Sequence, residues 1–224
     1  MAGQVNLKPF YIGLAVIALA GAGWMWLLAA RSNKEMTQIL EAPVPLGTAA
    51  FPGYVMGSDS APVEVVEYAD FQCPACASFA VLAGPDVRER LVKTGEVRWR
   101  FRDFPLDAHD KTLLAHHAAA CADEQGEFWG MHDQLYFHQG DWSFSSRPLR
   151  KFQEYAETIG IDVGAYNQCM SEARYASRIQ ATKQEVMKLG IRSTPSFDVG
   201  QFRVSGAIPF DSLQALVKAA GAKQ

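Results

Sequence analysis

Apolar residues crowd the start of this chain and then fall into short rhythms. Phe10 to Ala30 ("FYIGLAVIALAGAGWMWLLAA") holds no charged residue. As a helix its 21 residues would span about 31 Å, close to the roughly 30 Å hydrocarbon core of a bilayer. Tyr11 near one end and Trp24 and Trp26 near the other suit the two interfaces. A cleaved signal peptide is the alternative, with Ala18-Leu19-Ala20 as its cleavage site. The apolar run continues well past that point, which favours an uncleaved anchor. Lys8 precedes the run and Arg31 and Lys34 follow it, so basic residues alone do not set its orientation. The chain then divides into a tail over residues 1–9, an anchor over 10–30, a Pro/Gly/Ala-rich tether over 31–55 and a folded domain over 56–224.

Within the domain the rhythm changes. "APVEVVEYADF" (Ala61–Phe71) is a β-branched run that predicts a strand buried on both faces near its centre. Pro74 to about Lys93 predicts a helix, with Pro74 in its first turn and a break near Gly84 caused by Pro85. "EVRWRFRDF" (Glu96–Phe104) alternates Val97, Trp99 and Phe101 with arginines, the pattern of a half-buried strand. A helical block runs from Asp107 to about Leu189, with Gly160 and Gly190 at expected helix ends. "PSFDVG" and "FRVSG" predict two short strands around Gly200, and "PFDSLQALVKAAG" a closing helix with Asp211 as its N-cap. The order is strand–helix–strand, a helical block, then strand–strand–helix. No repeat or low-complexity tract interrupts it.

Charge narrows the function classes. The net charge is −3 with both signs mixed, which leaves no electrostatic footprint for nucleic acid. The chemistry therefore rests on four cysteines, Cys73, Cys76, Cys121 and Cys169, all beyond the apolar run. A structural zinc site needs four ligands, and one Cys-x-x-Cys with two isolated cysteines does not supply that pattern. The five histidines all lie in the helical block; His116 and His117, adjacent on a helix, read as packing and solvent-facing residues. A structural disulfide across Cys73–Cys76 would close too short a loop to stabilise much. A Cys-x-x-Cys where a strand passes into a helix is instead the thioredoxin-like redox pattern. Cys73 at the helix start is favoured as a thiolate, and Cys76 one turn in resolves a mixed disulfide. Glu67 has two readings, an ordinary edge carboxylate or a partly buried base serving Cys76. Cys121 and Cys169 are two buried thiols in a reducing compartment and a pair in an oxidising one.

Three stretches carry a family likeness: "GSDSAPVEVVEYADFQCPACASF", "AAACADEQGEFWGMHDQLYFHQ" and "GIRSTPSFDVGQFRVSGAIPFDSL". Together they resemble the DsbA-like family of extracytoplasmic thiol oxidoreductases, in its membrane-tethered, BdbD-like branch. The likeness covers about Gly57 to Ala219. It implies an α/β thioredoxin-like fold with a helical insertion over about residues 107–190, preceded by one transmembrane helix. It implies a cis Thr194–Pro195 bond facing the cysteines, with nearby backbone that pairs with an extended substrate. It implies that Glu67 acts with Cys73 and Cys76, and that Cys121 and Cys169 form a structural disulfide. Exported proteins with cysteines are the implied substrates. The implied redox partner is a quinone-linked membrane oxidase, DsbB-like or VKOR-like. No cofactor or metal is expected.

Two positions depart from the family pattern. Pro74-Ala75 lacks the histidine common between the cysteines of strong oxidants, which predicts a milder oxidant. Ser193 stands where a glycine commonly precedes Thr-Pro. Two rival functions share these residues: a reductase or isomerase on the same fold, and a thioredoxin-like copper-binding assembly factor.

Overall fold

The computed structural model describes residues 19–25, 27 and 51–221. These fall in two units, one within residues 1–39 and one within 40–224. Residues 19–25 are helical. Apart from these and Leu27, the expected anchor, and the tether up to Ala50, lie outside the described residues. Among the described residues no helix is long and apolar enough to cross a membrane.

The second unit is built on a five-stranded mixed sheet. Its strands are β1 (Tyr54–Met56), β2 (Val63–Ala69), β3 (Val97–Asp103), β4 (Ser196–Val199) and β5 (Phe202–Ser205), in spatial order β1-β3-β2-β4-β5. β2 and β3 run parallel in the register Val65↔Trp99 and Glu67↔Phe101. The other pairs are antiparallel. β2 is the central strand, and Val63, Val65, Glu67, Tyr68 and Ala69 are all buried on it. β3 alternates as its sequence predicts, with Val97, Trp99 and Phe101 buried between half-buried arginines.

β1 begins inside the stretch assigned to the tether. Gly53 and Gly57 flank it with φ of +102° and +97°. A Cβ at these positions would stand 2.4 Å from the Phe101 carbonyl oxygen and 2.7 Å from that of Val97. Only glycine admits both the left-handed backbone and the close approach, so these two residues let three intervening ones add to the edge of β3.

The crossover from β2 to β3 is helix α1 (Pro74–Leu82), short helix α2 (Gly84–Val87) and a π-helical turn (Arg88–Val92). The break falls at Ala83, where Pro85 ends the first helix as expected. Phe79, Val87 and Leu91 from this side join Val65, Trp99, Phe197, Leu213 and Val217 in the main core. The closing helix α9 (Phe210–Gly221) starts two residues earlier than its sequence suggests. Pro209 supplies the capping carbonyl, to Leu213 N at 3.1 Å, and Asp211 sits inside the first turn.

The insertion comprises α3 (Thr112–Asp123), α4 (Phe128–Phe137), α5 (Gln139–Ser143), α6 (Pro148–Thr158), α7 (Val163–Ser171) and α8 (Ala176–Lys188). α3 lies at its centre, and its five buried alanines let neighbouring helices approach closely. His116 and His117 are both fully buried, contrary to the solvent-facing place expected for one of them. α3 is covered all round, so His116 bonds Asp103 at 2.7 Å and His117 accepts from the Tyr175 N–H at 3.2 Å. Cys121 of α3 and Cys169 of α7 are joined by a disulfide, with Cα atoms 5.8 Å apart.

That disulfide closes a loop of 48 residues. Replacing both cysteines by alanine should lower unfolding free energy by about 4 kcal/mol, read from the chemical denaturation midpoint. Titration of the Cys73 and Cys76 thiols should be unchanged in the folded variant.

Candidate redox site

The site forms where β2 ends and α1 begins. Asp70 follows the strand and is fully buried. Its carboxylate accepts from Gln72 N (2.7 Å), Leu106 N (2.7 Å), Thr112 Oγ1 (2.5 Å) and His109 Nδ1 (2.8 Å). Burial alone would raise its pKa, but these bonds, His109 foremost, outweigh it and hold the carboxyl below its ordinary value. The Asp70 carbonyl accepts from Cys73 N at 3.0 Å, and Gln139 Nε2 donates to the carbonyls of Phe71 (2.7 Å) and Cys73 (3.0 Å). The turn carrying Cys73 is thus pinned from both sides.

Cys73 is the N-cap of α1, with extended backbone and Pro74 behind it in the first turn. Both Cys73 and Cys76 are free thiols in this structure and both are buried. Their environments push them apart. A hydrogen bond from the Cys76 thiol, then the Thr194 side chain and the N–H groups of Cys76 and Ala75, outweigh burial and lower Cys73 to about 5. The imidazole of His109, held on Asp70, lies within electrostatic reach of Cys73. Cys76 moves the other way: burial first, then the neighbouring Cys73, hold it well above the ordinary thiol range.

The Thr194–Pro195 bond is cis. The Cys73 thiol donates to the Thr194 carbonyl at 3.4 Å, which places the bond directly against Cys73. Thr194 Oγ1 is buried and without a partner among the described residues, and a thiolate at Cys73 offers it one. Ser196 Oγ donates to the Ser193 carbonyl at 2.8 Å, and Gly206 N to the Pro195 carbonyl at 2.7 Å. These bonds fix the loop on either side of Thr194.

Glu67 is buried on the central strand, so the edge-carboxylate reading does not describe it. Its Oε2 accepts from Trp99 Nε1 at 3.2 Å, and Oε1 has no hydrogen-bond partner among the described residues. Burial raises its pKa to about 7, against the smaller opposing pull of the Trp99 bond and the Arg88 charge. Its charge also contributes to raising Cys76. A carboxyl shifted to near neutrality thus lies within electrostatic reach of Cys76.

Cys121 and Cys169 are placed apart from this centre, bonded to each other. His117 Nε2 lies 3.8 Å from Cys121 Sγ. These three residues are the one cluster with metal-ligand spacing among the described residues, and the S–S bond removes both thiolates from the donor set. Sequence reasoning missed Asp70, Trp99, His109 and Gln139. An acid closing a buried strand three residues before the first cysteine was a usable signal for Asp70. Gln139 carries no such signal, because only the packing of the insertion brings it to the turn.

Thiolate absorbance of the reduced protein should titrate near pH 5, and brief alkylation at neutral pH should label Cys73 and spare Cys76; labelling of Cys76 first would reverse their roles. Glu67 gives a second test. The unfolded carboxyl ionises near 4.5 and the folded one near 7. Between these values the folded state holds a proton that the unfolded state has released, so stability falls as pH rises through that window. Glu67→Gln should remove this slope and stabilise the reduced protein by up to about 3 kcal/mol above pH 7, with no gain at pH 4. Denaturation at a series of pH values checks it.

Known proteins are similar to this chain. A family model described as thioredoxin matches residues 50–219. A Na(+)/H(+) antiporter NhaA 3 of Salinispora tropica is 38% identical over 168 residues, which cover 75% of this chain and 24% of that protein. A probable disulfide bond formation protein D of Bacillus anthracis is 29% identical over 146 residues, 63% of this chain and 66% of the relative. The first relatives are much longer proteins; the chain spans about a quarter to a third of their length. The crystal structure of oxidised BdbD from Bacillus subtilis superposes with a TM-score of 0.68 at 23% identity, over 75% of this chain and 92% of that one. A fold with a cis-proline loop against a Cys-x-x-Cys helix start, matched by the family model over most of the chain, has one assignment: the chain belongs to the thioredoxin family.

Proposed function

We propose that this protein is a DsbA-like thiol:disulfide oxidoreductase that donates the Cys73–Cys76 disulfide to exported proteins. The observation that carries the reading is the opposed tuning of the two thiols beside a buried carboxyl. A substrate thiolate attacks Cys73 Sγ of the disulfide. The S–S bond breaks, Cys76 leaves as a thiolate, and a mixed disulfide joins substrate to Cys73. Cys76 is the poor leaving group of the pair, and the Glu67 carboxylic acid supplies the proton that its thiolate takes up. The second substrate thiolate then attacks the substrate sulfur. Cys73 leaves as a stabilised thiolate; the substrate is oxidised by two electrons and the enzyme holds the dithiol. A thiolate stabilised only in the reduced form raises the reduction potential and favours donation over reduction.

The substrate peptide lies along the Thr194–Pro195 loop as an added strand. Reoxidation needs an acceptor outside this chain, and a quinone-linked membrane oxidase of the DsbB or VKOR type fits. The relative named as a probable disulfide bond formation protein supports disulfide donation as the direction of the reaction. The 10–30 stretch anchors the chain, and the catalytic domain faces the extracytoplasmic side. The buried Cys121–Cys169 disulfide supports that side, since such bonds persist where thiols are oxidised.

Equilibration of the full chain with glutathione should give a potential on the oxidising side of the thioredoxin value of about −270 mV. The oxidised protein should restore activity to reduced, denatured ribonuclease, and Cys73→Ala should abolish that. A potential at or below the thioredoxin value would make the reductase reading the better one. Alkaline carbonate should leave the protein in the membrane, and protease added to spheroplasts should digest the domain. Protection there would overturn the topology.

A further inference from the structure

Beside Glu67 lies a small cavity of about 20 Å³, lined among others by Glu67, Phe79, Ala80, Arg88, Trp129 and His132. A single water needs about 10–15 Å³, so there is room for one. The Glu67 oxygen that Trp99 leaves free, Oε1, is buried and unpartnered. A buried carboxyl oxygen without a partner is costly, and a water removes that cost.

His132 forms another part of the wall. It is buried on α4, and its Nδ1 bonds Asp133 Oδ1 at 2.8 Å. Both terminal nitrogens of Arg88 grip the Asp133 carboxylate at 2.5 Å. The Arg88 and Asp133 side chains are about a third exposed, so this ion pair reaches solvent. The Arg88 guanidinium also sits 5.8 Å from the Trp129 ring centre, which fixes it over the cavity wall. A chain of polar groups therefore leads from the buried carboxyl to water: carboxyl, cavity, imidazole, ion pair.

We propose that one water in this cavity joins Glu67 Oε1 to His132, and that His132, oriented by Asp133 and Arg88, exchanges the Glu67 proton with solvent. The inference rests on the proposed function, in which Glu67 serves Cys76. The route carries one proton and no electrons. When the dithiol is reoxidised, Cys76 gives its proton to the Glu67 carboxylate as it becomes the attacking thiolate. Glu67 passes a proton to the water, and the water passes one to His132 Nε2. Asp133 stabilises the brief imidazolium, which loses its proton to solvent. Disulfide donation runs the route inward and reprotonates Glu67.

The groups on each side fit this use. Titratable or charged groups facing Glu67 are Cys76 from α1, Arg88 from the π-helical turn, and His132 and Tyr136 from α4; β3 contributes only the Trp99 N–H. His132 is held below its usual pKa, by burial first and against the pull of Asp133, so it returns to neutral after each transfer. His132 acts on the thiols only through Glu67.

The test uses the full chain in four forms: wild type, Glu67→Gln, His132→Phe and Ala80→Leu. The last fills the cavity from α1 and leaves His132 in place. Stopped-flow resolution of a mixed disulfide on Cys73 is measured as a function of pH. His132→Phe and Ala80→Leu should each slow resolution by about tenfold or more and flatten its pH profile. The rate of first attack at Cys73 and the Cys73 thiolate titration should stay at wild-type values, which a general structural defect would not spare. Wild-type resolution and pH profile in both variants, with Glu67→Gln still slow, overturn the route and leave the role of Glu67 standing. Wild-type resolution in Glu67→Gln overturns the route and the reading beneath it. If His132→Phe does not fold, Ala80→Leu decides alone by the same criteria.

Discussion

The Asp70 carboxylate is the junction on which this domain turns. It has no access to water, and it gathers donors from the turn before Cys73, from the loop after β3 and from the first turn of the insertion. An ionised group in that position is tolerable only when such donors saturate it. The sheet end, the redox turn and the helical insertion are therefore obliged to meet in one geometry. The thiol asymmetry follows from that geometry. Cys73 is held at a helix start with N–H groups aimed at it, and Cys76 is one turn deeper, where burial and the charges of Cys73 and Glu67 act on it.

Central-strand burial sets the second constraint. β2 has partners on both edges and is covered on both faces around Glu67, so a carboxyl placed there titrates near neutrality whatever its use. The same burial leaves Trp99 as its one hydrogen-bond partner among the described residues. What would be a liability in an inert core suits, in the proposed function, an acid and base beside Cys76.

Much of this was legible in the residues. The Val97–Trp99–Phe101 alternation marks β3, the β-branched run marks β2, and Pro74 and Pro85 mark where α1 starts and stops. Positions that depend on a distant partner were not legible. β1 is too short to signal itself and exists because β3 offers an edge and two glycines allow the approach. His117 lies in an alanine-rich helix surrounded on every side, so no polar face reports its burial. Glu67 reads equally well as an exposed or a buried acid until the sheet order is known. The division of the insertion into six helices was only partly visible, through Gly160 and Gly190.

The β1 strand has a consequence beyond the fold of its own three residues. A parallel β2–β3 core with a bare outer edge would present a row of free N–H and C=O groups to any extended chain. β1 occupies that edge. At the opposite margin, β5 is four residues long and carries Arg203, whose guanidinium forks onto Asp198 and also reaches the Leu189 carbonyl. Short, charged margins discourage indiscriminate strand addition. For a protein whose proposed substrates arrive unfolded, that matters: a sticky sheet margin would collect the very chains it is meant to oxidise and release. In the proposed function, margins built this way would leave the Thr194 loop as the place where incoming backbone meets the sulfur chemistry.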